Sequence, residues 1–166
     1  MGRATNLVMR PYAKADYRRV LDICIKAFEP IHAGFEQALG ARIFELHYHD
    51  WRWQYAKTIR GIPAAGDETR VFVAELDGFV AGFVFTMVDK KRKTGEIGLN
   101  AVDPKWQGRG IGRAMYAFAL EDLKERGAAV VSVGTGGDAA HEPARRAYEA
   151  LGFDKAIPGM YLFKLL

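Results

Sequence analysis

"EIGLNAVDPKWQGRGIGRAMYAFALEDL", Glu96 to Leu123, joins an apolar stretch to a helical pattern through a loop with three glycines in five residues. The stretch "EIGLNAV" reads as a strand. From Gly110 a helix follows, with Ile111, Met115 and Phe118 on one face and Glu121, Asp122, Lys124 and Glu125 largely outside. The loop between them, Gln107 to Gly112, suits an anion held against bare backbone. A helix N-terminus offers unpaired N–H groups and a favourable dipole to a phosphate. Glycines let that phosphate approach, and Arg109 and Arg113 add charge. Hydrogen bonds to a charged group contribute ~1.5–3 kcal/mol each, so several would hold a pyrophosphate. A dinucleotide fold fits less well. Arg113 stands where its third glycine belongs, and the motif comes late in the chain rather than after the first strand. A nucleoside-triphosphate loop would end in Gly-Lys-Ser/Thr, which is absent. A plain turn would gain nothing for the backbone entropy of three glycines.

Upstream of this stretch, "RVFVAEL" and "FVAGFVFTMVD" flank Asp77-Gly78, a pair that accepts the positive φ of a two-residue hairpin turn. "KKRKTG" is the next turn. "NLVMRPY" reads as a first strand ending near Pro11. Asp16 is placed to cap a helix through Phe28, which Pro30 should break. Residues 33–59 read as one or two helices, and "GIPAAGDE" as a loop. Downstream, Arg126-Gly127 closes the glycine-loop helix. "AAVVSVGT" reads as a short buried strand, Glu142 to Leu151 as a helix stopped by Gly152, and "GMYLFKLL" as a terminal strand. The order predicts an α/β chain of α+β type, one domain over residues 1–166. Its central sheet is mixed and mostly antiparallel, with helices on both faces.

Composition agrees. The 166 residues are 49% hydrophobic and 27% charged, as expected of a globular domain, and the net charge of +4 suits an anionic cofactor as well as it suits nucleic acid. "KKRK", Lys90 to Lys93, lacks interleaved aromatics and reads as a solvated turn tip rather than a nucleic-acid patch. The single cysteine, Cys24, reads as a buried thiol in a reducing compartment. The opening "MGRATNLVMRP" has no apolar signal region, and no run approaches the ~20 apolar residues of a membrane span. The expectation is a cytoplasmic protein without membrane or nucleic-acid partners. No His/Asp/Glu set has metal-binding spacing.

The stretch "AVDPKWQGRGIGRAMYAFALEDL" resembles the acyl-coenzyme A signature of the GNAT superfamily of N-acetyltransferases, with Gln107, Gly110 and Gly112 matching. A second signature, "HEPARRAYEALGF", ends in the Tyr-Glu-x-x-Gly-Phe typical of that family. The resemblance implies a splay between the fourth and fifth strands that takes acetyl-CoA as cosubstrate, with no metal. Pantetheine would pair near Ala101 and Val102, where the family carries a bulge. The N–H groups of Gly108, Arg109, Gly110, Ile111, Gly112 and Arg113 would hold the pyrophosphate. His141 stands where the family commonly has Asn, which puts its cofactor contact in question. The acceptor would be a small-molecule or peptide amine, and a homodimer stays open. The alternative is a sensor or scaffold domain that binds acyl-CoA and transfers nothing.

Two residues would carry the chemistry. Glu96 opens the strand before the loop, and its distance to Gln107 matches the acidic residue of the histone-acetylating branch, making it the base candidate. His141, Arg145 and Tyr148 follow helical spacing and share a face. The family carries its thiolate-protonating tyrosine at the position of Tyr148, the acid candidate. "HYHDWRWQY", with His47, His49, Trp51 and Trp53, either lines the acceptor pocket or packs on the sheet.

Overall fold

Strand β1 (Leu7–Pro11) opens the chain, and helices α1 (Tyr17–Leu39), α2 (Ala41–Tyr48) and α3 (Trp51–Arg60) follow it. Then come β2 (Thr69–Leu76), β3 (Phe79–Asp89), β4 (Thr94–Val102), α4 (Ile111–Glu125), β5 (Val130–Val133) and α5 (Glu142–Glu149). The computed structural model describes residues 6–62 and 66–166. The reading of residues 1–5, and of residues 63–65 in the expected loop, lies outside them.

The sheet runs in sequence order, β1 to β5. Every pair is antiparallel except β4 with β5. Asp77 and Gly78 take φ of 51° and 85°, the positive values that a tight turn between right-twisted strands demands. Alternating side chains feed two cores. Phe72, Ala74, Val84 and Ile97 meet Met115, Ala119 and Leu123 of α4 on one face. Val71, Val73, Phe83 and Phe85 meet Val20, Ile23 and Cys24 of α1 and Ile59 of α3 on the other. Burial of Cys24 pushes its thiol up to about 12, consistent with an inert structural cysteine.

Five expectations need correction. Pro30 lies inside α1 and does not end it. It sits on the exposed side, so the carbonyl freed by its missing N–H meets water, while Ile23 and Cys24 before it and His32 after it are buried. Asp16 does not cap α1 through its side chain. Its carboxylate instead accepts from Arg10 (2.8 and 3.0 Å) and from the Ala13 N–H (2.8 Å). Asp122 is buried rather than outside. It accepts from Thr86 Oγ1 (2.8 Å), Arg126 (3.0 Å) and Arg70 (2.8 Å), a partner set that makes a buried carboxylate tolerable. Finally, β5 is an edge strand with Val130 64% exposed, and "GMYLFKLL" forms no strand.

Candidate active site

Strand β4 positions the site because its side-chain alternation slips once. A Cβ on Gly95 would meet Leu123 and Ala128, and Ile97 packs with α4. Without a bulge Leu99 and Ala101 would follow them, yet both pack on the α1 core. The register with β3 shifts between Val84 and Thr86, opposite Gly98 and Leu99. One extra residue there turns Asn100 and Val102 toward α4 and α5. The bulge thus falls earlier than the Ala101–Val102 position expected for it.

The same strand loses its neighbour at this point. Pairing with β5 runs from Thr94–Val130 to Ile97–Val133 and stops. Beyond it the two strands leave a gap, which is part of a cleft of ≈ 590 Å³ crossing the sheet. The Asp103 N–H donates to Ala81 C=O (2.8 Å), with Val102 opposite Gly82 and Ala101 opposite Phe83. Bonded and non-bonded positions alternate in an antiparallel pair. Backbone groups of Ala101 are therefore taken by β3, and those of Asn100 and Val102 face the gap. The Val102 C=O already accepts from Gln107 Nε2 (3.1 Å), so its N–H is the group left for a ligand.

Next to the gap stands the tip of α4. Gly110 is left-handed (φ 78°) and begins the helix. Among the described residues, no backbone N–H from Gly108 to Arg113 has a hydrogen-bond acceptor. These consecutive unpaired donors, together with the helix dipole, make an anion seat. The approach is fixed by Asp103, which accepts from the Lys105 N–H (3.0 Å) and pairs with Arg19 of α1. The Arg19 guanidinium and the Lys105 N–H hold the Asp103 carboxyl below its usual range against the effect of burial. Arg113 lines the cleft, whereas Arg109 does not. The Arg109 guanidinium lies 4.7 Å from the Trp106 ring centroid.

Across the cleft stand His141, just before α5, and Tyr148 of α5. Tyr148 is 5% exposed. Its Oη accepts from Asn100 Nδ2 (3.3 Å), while Asn100 Oδ1 accepts from the Tyr116 hydroxyl (2.9 Å). The Gly98 carbonyl also accepts from Asn100 Nδ2 (2.9 Å), which fixes the amide's orientation. With its lone pair engaged, Tyr148 keeps its own proton to donate. Burial pushes both Tyr148 and Tyr116 above the ordinary phenol value; hydrogen bonds from Tyr116 and Asn100 oppose the rise at Tyr148, whereas Tyr148 adds to it at Tyr116. His141 Nδ1 lies 2.6 Å from Asp138 Oδ2. Arg145 does not line the cleft with them and braces the loop before α5 by donating to Gly136 C=O (2.6 Å) and Asp138 C=O (2.7 Å).

Glu96 lines the cleft and is exposed. It pairs opposite Ser132, one residue before the pairing with β5 ends, on the α1 side of the sheet with Phe28 and Ile31. The aromatic stretch falls elsewhere. Trp51 is buried, but stacked on His32 (4.1 Å, 10°) rather than on the sheet, and Trp53 is exposed. Neither they nor His47 and His49 line the cleft. Asn100 and Tyr116 escaped the sequence reading. The bulge that aims Asn100 carries only the faint signal of Gly98 within a strand. Among the described residues, no group of three or more His, Cys, Asp or Glu is placed to hold a metal ion. No helix among them is long and apolar enough to cross a membrane.

Comparison with known proteins agrees with this geometry. The model of the Acetyltransferase (GNAT) family matches residues 34–153. A mycothiol acetyltransferase of Thermomonospora curvata is 33% identical over 145 residues, covering 84% of this chain and 47% of the relative. Another, of Acidothermus cellulolyticus, is 32% identical over 151 residues, covering 80% and 45%. The chain thus spans about half the length of the curated relatives it matches. Among solved structures, the Escherichia coli ribosomal-protein-S18-alanine N-acetyltransferase superposes with a TM-score of 0.63 at 23% identity, over 92% of this chain and 80% of that one. An aminoglycoside N-acetyltransferase in complex with CoA gives 0.68 at 16% identity, over 99% and 98%. These two speak for the fold. Family model, relatives and splayed sheet converge, and the chain belongs to the GNAT acetyltransferase family.

Proposed function

We propose that this chain is an acetyl-CoA-dependent N-acetyltransferase whose acceptor is a primary amine on a small molecule or a protein. The observation that carries the reading is the run of acceptor-free N–H groups from Gly108 to Arg113, set beside a gap that ends at Tyr148. Acetyl-CoA supplies a thioester carbonyl as the electrophile. The loop and α4 tip take its pyrophosphate, and the Val102 N–H takes an amide oxygen of its pantetheine arm.

The acceptor amine must lose a proton. A lysine-like amine has a pKa near 10.4, so about one in 2,500 is neutral at pH 7, a handicap of ~4.6 kcal/mol. Glu96, directly or through water, accepts that proton. The nitrogen bonds to the carbonyl carbon and the carbon–sulfur bond breaks. Tyr148 gives its proton to the departing thiolate while Asn100 holds the phenol oxygen in place, and the second proton that the newly bonded nitrogen sheds restores the phenol through solvent.

Free-thiol detection tests this with a panel of primary amines: amino sugars, lysine and peptides with free N-termini. Acetyl-CoA turnover that depends on amine is expected, as is slowed turnover in Tyr148→Phe with CoA affinity by calorimetry nearly unchanged. CoA binding without transfer to any amine would favour the sensor reading. No CoA binding at all would remove both.

A further inference from the structure

The guanidinium of Arg19, on α1, donates in three directions. Nε donates to the Val80 C=O (2.9 Å), Nη1 to Asp22 Oδ2 (2.9 Å) and Nη2 to Asp103 Oδ2 (2.5 Å). Lys26 also donates to Asp22 Oδ2 (2.8 Å), which leaves the Arg19 charge to Asp103. The Asp103 side chain is 4% exposed and that of Arg19 31%. Neither residue lines the cleft, so direct contact with a ligand does not account for the pair. Burying a carboxylate is costly even with a partner, and this one needs a reason.

The reason lies in the turn that delivers the glycine loop. Asp103 caps residues Pro104–Trp106 by accepting from the Lys105 N–H (3.0 Å). Gln107 folds back to donate to the Val102 C=O (3.1 Å), and a Cβ on Gly112 would lie 3.8 Å from Val102 Cγ2. The run of unpaired N–H groups is thus folded against the residue beside Asp103. A negative charge is built into the support of an anion seat, and burial limits the solvent screening between them. Among the described residues, Arg19 is the only cation within salt-bridge distance of that charge. We propose that Arg19 is a positioning residue for the cofactor, acting through Asp103. Its charge cancels that of the buried carboxylate, so that Asp103 caps the turn without repelling the pyrophosphate. The inference rests on the acetyl-CoA reading above.

Four variants separate charge from scaffolding, each compared with the unaltered chain by circular dichroism, Tm and calorimetry with CoA at pH 8. Arg19→Gln keeps a donor and removes the charge, and CoA affinity should fall roughly tenfold. Its KM for acetyl-CoA should rise with kcat little changed. Arg19→Lys keeps the charge but not the three-way fork, so Tm should fall while affinity stays within about threefold of the unaltered chain. Arg19→Gln combined with Asp103→Asn removes both charges, and most of the lost affinity should return. Asp103→Asn alone keeps an oxygen for the Lys105 N–H and leaves the Arg19 charge uncancelled, so CoA should bind more tightly although Tm falls. This last variant decides the matter even where Arg19→Gln does not fold. Affinity that simply follows Tm across the variants makes the pair a scaffold and overturns the inference, as does unchanged affinity in Arg19→Gln. In both cases the unaltered chain still binds CoA. An unaltered chain that binds none overturns the acetyl-CoA reading and this inference together.

Discussion

Lowering the pH should loosen the layer of helices α1 to α3 before it touches the sheet, and His32 is the reason. Its ring is buried and stacked on Trp51, with Phe35, Phe44, Tyr48 and Tyr55 around it. Nδ1 is buried without a partner, and Nε2 has only the Tyr55 hydroxyl at 3.4 Å. A proton on this ring would be poorly solvated and would feel Arg52, whose guanidinium lies 4.2 Å from the Trp51 ring centroid. Burial, then Arg52, lowers the His32 pKa from 6.5 to about 4. The unfolded chain therefore binds the proton more readily. Stability is fully present above pH 6.5 and is lost as pH falls toward 4. At one pKa unit per 1.36 kcal/mol, the whole window is worth about 3 kcal/mol, and about 2 kcal/mol is gone by pH 5. Urea unfolding followed by tryptophan fluorescence at pH 7, 6 and 5 would read the loss. His32→Phe should flatten the slope across that window. A His32 proton titration by NMR with a midpoint near 6.5, or an equally steep slope in His32→Phe, would refute the reasoning.

Other outcomes follow from the same geometry. Asp122→Ala removes the carboxylate that neutralises the buried Arg126 guanidinium and accepts from Thr86, and should cost about 3 kcal/mol, a fall of roughly 10 °C in Tm by calorimetry. Gly82→Ala would put a Cβ 2.6 Å from Met115 Sδ and 2.9 Å from the Ala101 carbonyl oxygen. An overpacking loss of about 1–3 kcal/mol in denaturant unfolding is expected. Asn100→Ala should lower kcat for acetyl transfer with little change in KM for acetyl-CoA, because it touches the phenol oxygen of Tyr148 and not the phosphate seat. A change confined to KM would count against that placement. Gly110→Val should weaken CoA binding in calorimetry, since φ of 78° disfavours a β-branched residue.

Local chemistry made much of this molecule legible. Asp77-Gly78 can hardly be other than a turn, and the glycines after Gln107 imply close approach at a helix tip. Both statements concern a few adjacent residues and the conformations open to them. What escaped depends on partners far along the chain. Nothing near Asp122 announces that Thr86 and Arg70 will meet it, so its charge read as exposure. Pro30 breaks a helix only where the freed carbonyl has no water, which the sequence does not state. The bulge at Gly98 is a mismatch between two strands, visible only once β3 and β4 are paired. The tail reads as a strand from its own residues, but a strand needs a neighbour, and no backbone pairs with it among the described residues.

The slip at Gly98 has a further consequence. It divides β4 into two segments whose side chains run out of phase. Glu96, before the slip, looks toward α1, while Asn100, past it, looks toward α5. Side chains on the α1 face of the strand can therefore vary without moving the amide that holds the Tyr148 phenol. Removing residue 98 would leave Phe85 facing Leu99 alone and restore plain alternation with Asn100 still opposite Val84, so what such a deletion takes from the strand is its local bend, and not the direction of any side chain.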